Sequence, residues 1–214
     1  MFRARLLTML EAIRTGNWFG ANISPNLNPP PCPAPAGPWF TAGLPGRSAL
    51  RGKWHLSTSG FWPTNMVGPG KYTEASGSWA NLNNFPSFNY YQWVKGDGVT
   101  GLKVQSTTFA TNDTAADVLA DIAGGVETIV FAANAIHHPL TPLPPNDEPP
   151  GRDYSANPNV DPRLDYLQHL DYRLGQVIDA ATAVRYVVMI ACDNGSVGSG
   201  KGDTTEGGLN TPLI

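Results

Sequence analysis

Residues 114–135 read T-A-A-D-V-L-A-D-I-A-G-G-V-E-T-I-V-F-A-A-N-A, and they decide the predicted fold of this chain. They predict a helix over residues 114–123, which Thr114 can cap and which the glycine pair at 124–125 ends. Four apolar residues share one face of that helix: Ala115, Val118, Leu119 and Ile122. Residues 128–135 then form a short apolar run, which is typical of a buried strand.

The same order of helix and apolar run recurs further along the chain. Residues 164–181 predict the clearest helix, with five apolar side chains on one stripe: Leu167, Leu170, Leu174, Val177 and Ile178. Residues 186–191, Y-V-V-M-I-A, predict a second buried strand. We therefore expect an α/β fold in which helices flank a mostly parallel sheet.

The remaining segments give weaker signals. Residues 2–15 have helical spacing of apolar side chains, and residues 47–56 are expected to end in a strand. Three stretches rich in Pro, Gly, Asn or aromatic residues read as irregular: residues 22–38, 57–101 and 139–162.

Length, composition and charge limit the class of protein and the partners that the sequence favours. The chain has 214 residues, so it is one large domain or part of a larger protein. Its net charge is −3 and it has no basic stripe, which disfavours nucleic-acid binding. No apolar run approaches the ~18 residues of a membrane span. Residues 1–5 lead into an amphipathic stretch and not into a signal-peptide core, so the sequence leaves the cellular compartment open.

Polar side chains follow both predicted strands. Asp193 and Asn194 follow the second run and offer the hard oxygen ligands that suit Ca²⁺ or Mg²⁺. Lys201 stands in the Gly-rich loop beyond them, and His137 follows the first run. Because the carboxyl ends of parallel strands share one sheet edge, these residues predict a site for a tetrahedral oxyanion.

Lys53 and His55 form a further candidate pair. They alternate in residues 52–56, G-K-W-H-L, so on a strand they share one face. Each signal has a plainer explanation: a solvated edge for this pair, a polar loop for His137, a turn for the Asp-Asn-Gly segment and a surface position for Lys201. Their order along the chain is therefore more informative than any one of them.

Taken in this order, the sequence segments around these residues resemble the sulfatase family of the alkaline-phosphatase-like superfamily. Residues 48–56, S-A-L-R-G-K-W-H-L, resemble the family's Gly-Lys-Trp-His-Leu signature, and residues 134–140, N-A-I-H-H-P-L, resemble its Asn-Ala-Pro-His-x-Pro-Leu block. Three later segments are also similar to family motifs: residues 171–175, 192–195 and 201–214. The resemblance spans most of the chain.

The family's first signature is only partly present. Residues 3–9 and 14–16 resemble its later part, which places the Pro of its Cys-x-Pro-x-Arg motif at Met1. The cysteine that the family oxidises to formylglycine, and its paired aspartates, would then precede Met1. Cys32 is no substitute, because Ala36 replaces the required arginine. We expect residues 1–214 to be a partial sulfatase catalytic domain, lacking the N-terminal strand with the nucleophile and the C-terminal subdomain.

The resemblance implies hydrolysis of a sulfate ester of a small molecule or carbohydrate. It assigns roles to seven residues: Asp193 and Asn194 would bind Ca²⁺, or Mg²⁺; Lys53, His137 and Lys201 would contact sulfate; His55 would hydrogen-bond the nucleophile; and Arg3 would steady it. Two alternatives stay open. One is a non-catalytic remnant or anion-binding module, and the other is a phosphodiesterase or phosphonate hydrolase of the same superfamily.

Overall fold

A computed structural model describes residues 40–53, 66–78, 82, 92–135, 143, 149–154, 156, 158 and 161–191. The predicted helix over residues 2–15 and the predicted loop over residues 22–38 lie outside this part of the chain. After a short 3-10 helix, Phe40–Gly43, the described elements are five strands and two α-helices: β1 Ser48–Lys53, β2 Glu74–Ser78, β3 Trp93–Asp97, β4 Lys103–Ser106, α1 Ala110–Ala123, β5 Thr128–Ala132 and α2 Pro162–Ala183.

The strands form one mixed sheet in the order β4-β3-β2-β1-β5. β1 lies between two parallel partners, β2 and β5, and we call it the central strand of this three-stranded parallel part. β3 and β4 are an antiparallel hairpin added at the β2 side. A tight turn closes that hairpin, because the Asp97 N–H donates to the Leu102 carbonyl at 2.8 Å. The predicted α/β class is confirmed, with a parallel part that the hairpin extends.

The prediction that residues 57–101 are irregular was wrong, because β2 and β3 lie within them. These strands have five residues each and contain Gly, Ser and Lys where a strand signal needs β-branched residues. Their conformation comes from hydrogen bonding to neighbouring strands, which no local pattern reports.

Apolar packing defines two buried clusters. Leu50 of β1 and Ala75 of β2, which are paired in register, pack with Met66 and Tyr72. The second cluster joins a strand to both helices and contains Leu82, Trp93, Phe109, Ala110 and Tyr166. The Trp93 indole N–H donates to the Thr108 carbonyl at 3.0 Å, so burial of this large ring leaves its polar atom paired.

A row of carboxylates attaches α1 to the sheet. Three aspartates stand at four-residue intervals on one side of α1, and we call them the carboxylate ladder: Asp113, Asp117 and Asp121. Arg51 of β1 donates from Nε and Nη2 to the two Asp121 oxygens, each at 2.6 Å. The Ser76 hydroxyl of β2 donates to Asp117 at 2.6 Å, and Lys95 Nζ of β3 lies 2.7 Å from both Asp113 and Asp117.

The ladder stabilises its cations in their charged form. Burial by itself lowers the pKa of Lys95, but the hydrogen bonds to Asp113 and Asp117 outweigh it and raise the pKa. For Arg51, burial likewise lowers the pKa and the hydrogen bond to Asp121 raises it, and the net result is a raised pKa. Partly buried charges are thus held by paired, hydrogen-bonded partners, which their desolvation requires.

Both helices extend beyond their predicted starts. Thr114 lies inside α1, where its hydroxyl donates to the Ala110 carbonyl at 2.8 Å, so it is not the cap. The predicted end is confirmed, since Gly124 caps α1. Asp161 precedes α2 and its carboxylate accepts the Arg163 N–H at 3.0 Å, which satisfies one of the free donors at a helix start.

The buried face of α2 differs from the predicted apolar stripe. Tyr166 and His169 are buried, whereas Leu167 is 50% exposed. The reason is the neighbour that α2 meets at the start of α1: the Phe109 ring centroid lies 6.0 Å from that of Tyr166 and 5.2 Å from that of His169. The amide oxygen of Asn112 also lies 2.7 Å from His169 Nε2, so polar contacts select this face.

The prediction of a second buried strand over residues 186–191 was wrong. Residues 186–190 are irregular, with Val187 87% and Met189 58% exposed. The chain divides into two compact units, Met1–Val177 and Ile178–Ile214, and this run belongs to the second. Among the described residues it forms no strand ladder, and an apolar run without a ladder and a covering layer stays exposed.

A Schellman motif ends α2 just before this run. The Tyr186 N–H donates to the Ala181 carbonyl and the Arg185 N–H to the Thr182 carbonyl, each at 3.0 Å. Arg185 therefore adopts a left-handed φ of 68°, a conformation that usually belongs to glycine. Within the described residues, no helix is long and apolar enough to cross a membrane.

Two glycines allow the parallel strands to approach closely. Gly52 of β1 and Gly77 of β2 are partners in register, with φ of 102° and 143°. A methyl group on Gly77 would overlap the Gly52 carbonyl, and one on Gly52 would overlap the Ala132 carbonyl of β5. β1 and β2 thus need glycine near their carboxyl ends, where β1 approaches its two parallel neighbours.

We expect Gly77→Ala to lower the free energy of unfolding by about 2–4 kcal/mol, because it adds backbone strain to a steric overlap. Gly175→Ala is the matched control, since no atom lies within contact distance of its added methyl group and its φ is not left-handed. Urea unfolding should show the control unchanged or about 1 kcal/mol more stable. Equal effects of the two substitutions would contradict the close strand approach.

Lys95→Met should destabilise the chain by about 2 kcal/mol at neutral pH, because it leaves Asp113 and Asp117 without their shared cation. The pKa of Lys95 is raised in the folded protein. The stabilisation from its ion pairs is therefore fully present below the ordinary lysine pKa of 10.5. The stability difference between the two proteins should therefore narrow as the pH rises above that value. Arg163→Met, which breaks an exposed pair with Asp161, should change stability little. Urea unfolding at several pH values measures all three, and a pH-independent difference would contradict the ladder.

Arg185→Gly should raise the free energy of unfolding of the segment that contains the end of α2 by about 0.5–1 kcal/mol, since glycine adopts the left-handed cap without a Cβ clash. Hydrogen exchange at the Tyr186 amide, which the Schellman motif protects, measures this locally. Slower exchange confirms the cap, and faster exchange contradicts it.

Candidate functional site

Three parallel strands bring their carboxyl ends to one sheet edge. Lys53 is the last residue of β1 and pairs in register with Ser78, the last residue of β2. On the other side of β1, Ala132 ends β5 opposite Gly52, and Asn134 follows two residues later. Lys53 therefore ends the central strand between two neighbours that each supply a polar side chain. We call these three residues the carboxyl-edge cluster: Lys53, Ser78 and Asn134.

A buried hydrogen bond joins the outer members of the cluster. The Asn134 side-chain amide donates from Nδ2 to Ser78 Oγ at 3.0 Å. Ser78 is 1% and Asn134 is 3% exposed, so this bond lies in a low-dielectric environment. Lys53 is only partly buried. The edge thus combines a cation that solvent can reach with a fixed, solvent-excluded polar pair beside it.

The arrangement suits an anion. Open α/β sheets bind ligands at the carboxyl ends of their strands. A lysine supplies a point charge with three donors, and amide and hydroxyl groups supply oriented dipoles. Fixed dipoles beside a charge stabilise an oxyanion without reorganising when it binds. Chemically, a lysine at this edge can bind a sulfate or phosphate group, with the buried Ser78–Asn134 pair beside it.

Of the seven residues proposed for the site, the structure describes Lys53 alone. It places Lys53 at the predicted edge of the sheet. The other six lie outside the described residues: Arg3, His55, His137, Asp193, Asn194 and Lys201. In the described ranges, no group of three or more His, Cys, Asp or Glu residues could hold a metal ion. The Ca²⁺ site thus stays a prediction from the sequence.

Ser78 was missed because its strand was missed. It ends a five-residue strand, E-A-S-G-S, inside a region that the sequence pattern presents as irregular. Asn134 begins the block that resembles the family's histidine motif, yet the sequence alone gives it no role. A signal that could have found Ser78 is the glycine that precedes it, since a glycine inside a strand marks a close backbone approach.

A shallow groove lies at the opposite, amino end of the parallel strands. Its lining includes Ser48, Lys71, Tyr72 and Thr73. The Ser48 and Thr73 hydroxyls are engaged with backbone groups of each other's strand ends, at 2.8–3.2 Å. These bonds join β1 to β2, so strand pairing explains the polar residues of this groove better than ligand binding does.

Comparisons with known proteins agree with the fold. No family model matches the sequence, and no curated protein matches it either. Two solved structures are similar to it in three dimensions. One is described as Psi-CgsB, with a TM-score of 0.56 and 19% identity. The other is a 4S-sulfatase from work on glycosaminoglycan metabolism by Bacteroides thetaiotaomicron, with a TM-score of 0.51 and 17% identity.

Each match covers 78% of this chain and 44% of the solved structure, so the chain spans less than half the length of either. At these identities the similarity defines the class of fold, and that class is a sulfatase-like α/β fold. The described five-stranded sheet with two flanking helices is consistent with part of such a domain.

Proposed function

We propose that this chain is part of a sulfatase that hydrolyses the sulfate ester of a small molecule or carbohydrate. One observation supports this more than any other: in a sulfatase-like fold, Lys53 stands at the carboxyl edge of the central strand, within the block that resembles the family's Gly-Lys-Trp-His-Leu signature. A motif residue at the ligand-binding edge of the matching fold is a stronger basis than either feature alone.

In the proposed site, three cations meet the sulfuryl oxygens: Lys53, His137 and Lys201. His55 hydrogen-bonds the nucleophile and Arg3 steadies it. The carboxylate of Asp193 and the amide of Asn194 offer hard oxygen ligands, which fit Ca²⁺ and also accept Mg²⁺. When bound, the metal would neutralise charge on the ester oxygens.

The role of Lys53 follows from the charge of the ester. Sulfate oxygens accept hydrogen bonds, and attack on sulfur redistributes negative charge over the sulfuryl oxygens that Lys53 is proposed to contact. A lysine ammonium fixed at the edge stabilises that charge as it develops, which lowers the barrier by several kcal/mol in comparable electrostatic sites. The sequence contains no Cys-x-Pro-x-Arg motif, so the covalent nucleophile of the family is not assigned to any residue of this chain.

We expect Lys53→Ala to weaken the binding of inorganic sulfate by about 10- to 100-fold, the loss of one charge-assisted hydrogen bond. Isothermal titration calorimetry at constant ionic strength measures the dissociation constant without requiring a nucleophile. Lys71→Ala is the matched control, because Lys71 lines the groove at the opposite end of the strands. It should leave sulfate affinity unchanged.

Turnover decides between the proposed enzyme and its alternatives. Hydrolysis of a chromogenic aryl sulfate with Ca²⁺, lost in Lys53→Ala and His137→Ala, supports the sulfatase. In a protein that also carries the family's nucleophile, sulfate binding without turnover favours an anion-binding module, and faster turnover of the matching phosphate ester favours a phosphoesterase of the same superfamily. Equal sulfate affinities of Lys53→Ala and the wild type would overturn the proposed site.

A further inference from the structure

We infer that Ser78 is a positioning residue for the anion site, acting through Asn134. The inference rests on the proposed function, and it assigns a role to the buried Ser78–Asn134 pair that the family resemblance does not. Ser78 does not need to touch the anion. It holds the Asn134 side chain, and the start of the chain that leaves β5, against the end of β2 on one side of Lys53.

The first support is the hydrogen bond itself. Asn134 donates from Nδ2 to Ser78 Oγ at 3.0 Å. The serine hydroxyl can both donate and accept, so it holds the Asn134 side chain whichever way the amide faces. The bond therefore fixes the position of this side chain against the end of β2.

The second support is burial. With exposures of 1% and 3%, neither side chain can exchange this hydrogen bond for one to water. Low dielectric also strengthens the bond that is present. Apolar residues would pack at least as well at this edge. A buried polar pair there therefore indicates that the side chains are held in place for binding and not for stability.

The third support is topology. Asn134 and Ser78 extend from β5 and β2, which are not adjacent, because β1 lies between them. Their bond spans the end of β1, directly at Lys53. Glycines at positions 52 and 77 permit the close strand approach that brings the two side chains within reach. The pair thus closes a bridge over the central strand at the point where the proposed cation stands.

The test compares two hydroxyl deletions at opposite ends of β2. Ser78→Ala should weaken inorganic sulfate binding by about 3- to 10-fold, the net value of one hydrogen bond. Thr73→Ala removes a hydroxyl that bonds to Ser48 at the amino end of β2, and it should lower stability while leaving sulfate affinity unchanged. Calorimetry gives the affinities and urea unfolding gives the stabilities.

A double substitution separates positioning from general loosening. In an Asn134→Ala background, Ser78→Ala should cause no further loss of sulfate affinity, because the bond is already absent. If Ser78→Ala does not fold, Asn134→Asp replaces it: the side-chain shape is kept, and a carboxylate beside the anion should weaken sulfate binding at least 10-fold. Unchanged sulfate affinity of Asn134→Asp would overturn the inference.

The two proposals fail in different ways. If the wild type binds sulfate and Ser78→Ala behaves as Thr73→Ala does, the positioning role is wrong and the proposed function stands. Additive losses in the double variant also overturn the positioning role alone. If the wild type does not bind sulfate, both proposals are overturned.

Discussion

The carboxylate ladder is the interaction on which the rest of the described structure depends. The three aspartates of α1 together meet β1, β2 and β3, so the helix is fixed to all three strands at once. Because β5 follows α1 after a short connection, the helix position also decides where β5 pairs with β1. The polar edge formed by Asn134 and Ser78 is therefore set by charges on a different part of the same sheet.

The two buried apolar clusters show why α1 needs ion pairs to hold its position on the sheet. Apolar residues such as Leu50 and Ala75 bury one set of strand side chains, but the set that meets α1 contains Arg51, Ser76 and Lys95. Apolar contact alone is non-directional and would allow a helix to slide or rotate. Ion pairs with Asp121 and Asp113 allow one register, and burial makes any other register leave charges unpaired.

The sequence predicts an element well where its signal is local. α1 and β5 were found because apolar spacing, Gly124 and a short apolar run all lie within one window. The cap at Thr114 was misplaced, and β5 is half-buried where a buried strand was predicted. β2 and β3 have no such signal, since their pairing is supplied by distant neighbours. Residues 186–190 had the composition of a strand, but they form no ladder with another described strand. At the site, Lys53 was predicted from its motif, whereas Ser78 became visible only when β2 was placed beside β1.

The end of α2 has a consequence for handling this protein. Residues 186–190 are an exposed window of Val, Met and Ile with no proline, which is the composition that seeds cross-β association. Arg185 precedes this window and Asp193 closely follows it, and charges at such borders act as gatekeepers against aggregation. Arg185 thus has opposing effects: its left-handed backbone weakens the helix cap, while its charge keeps the apolar run in solution. Selection for solubility and selection for helix stability favour different residues at this one position.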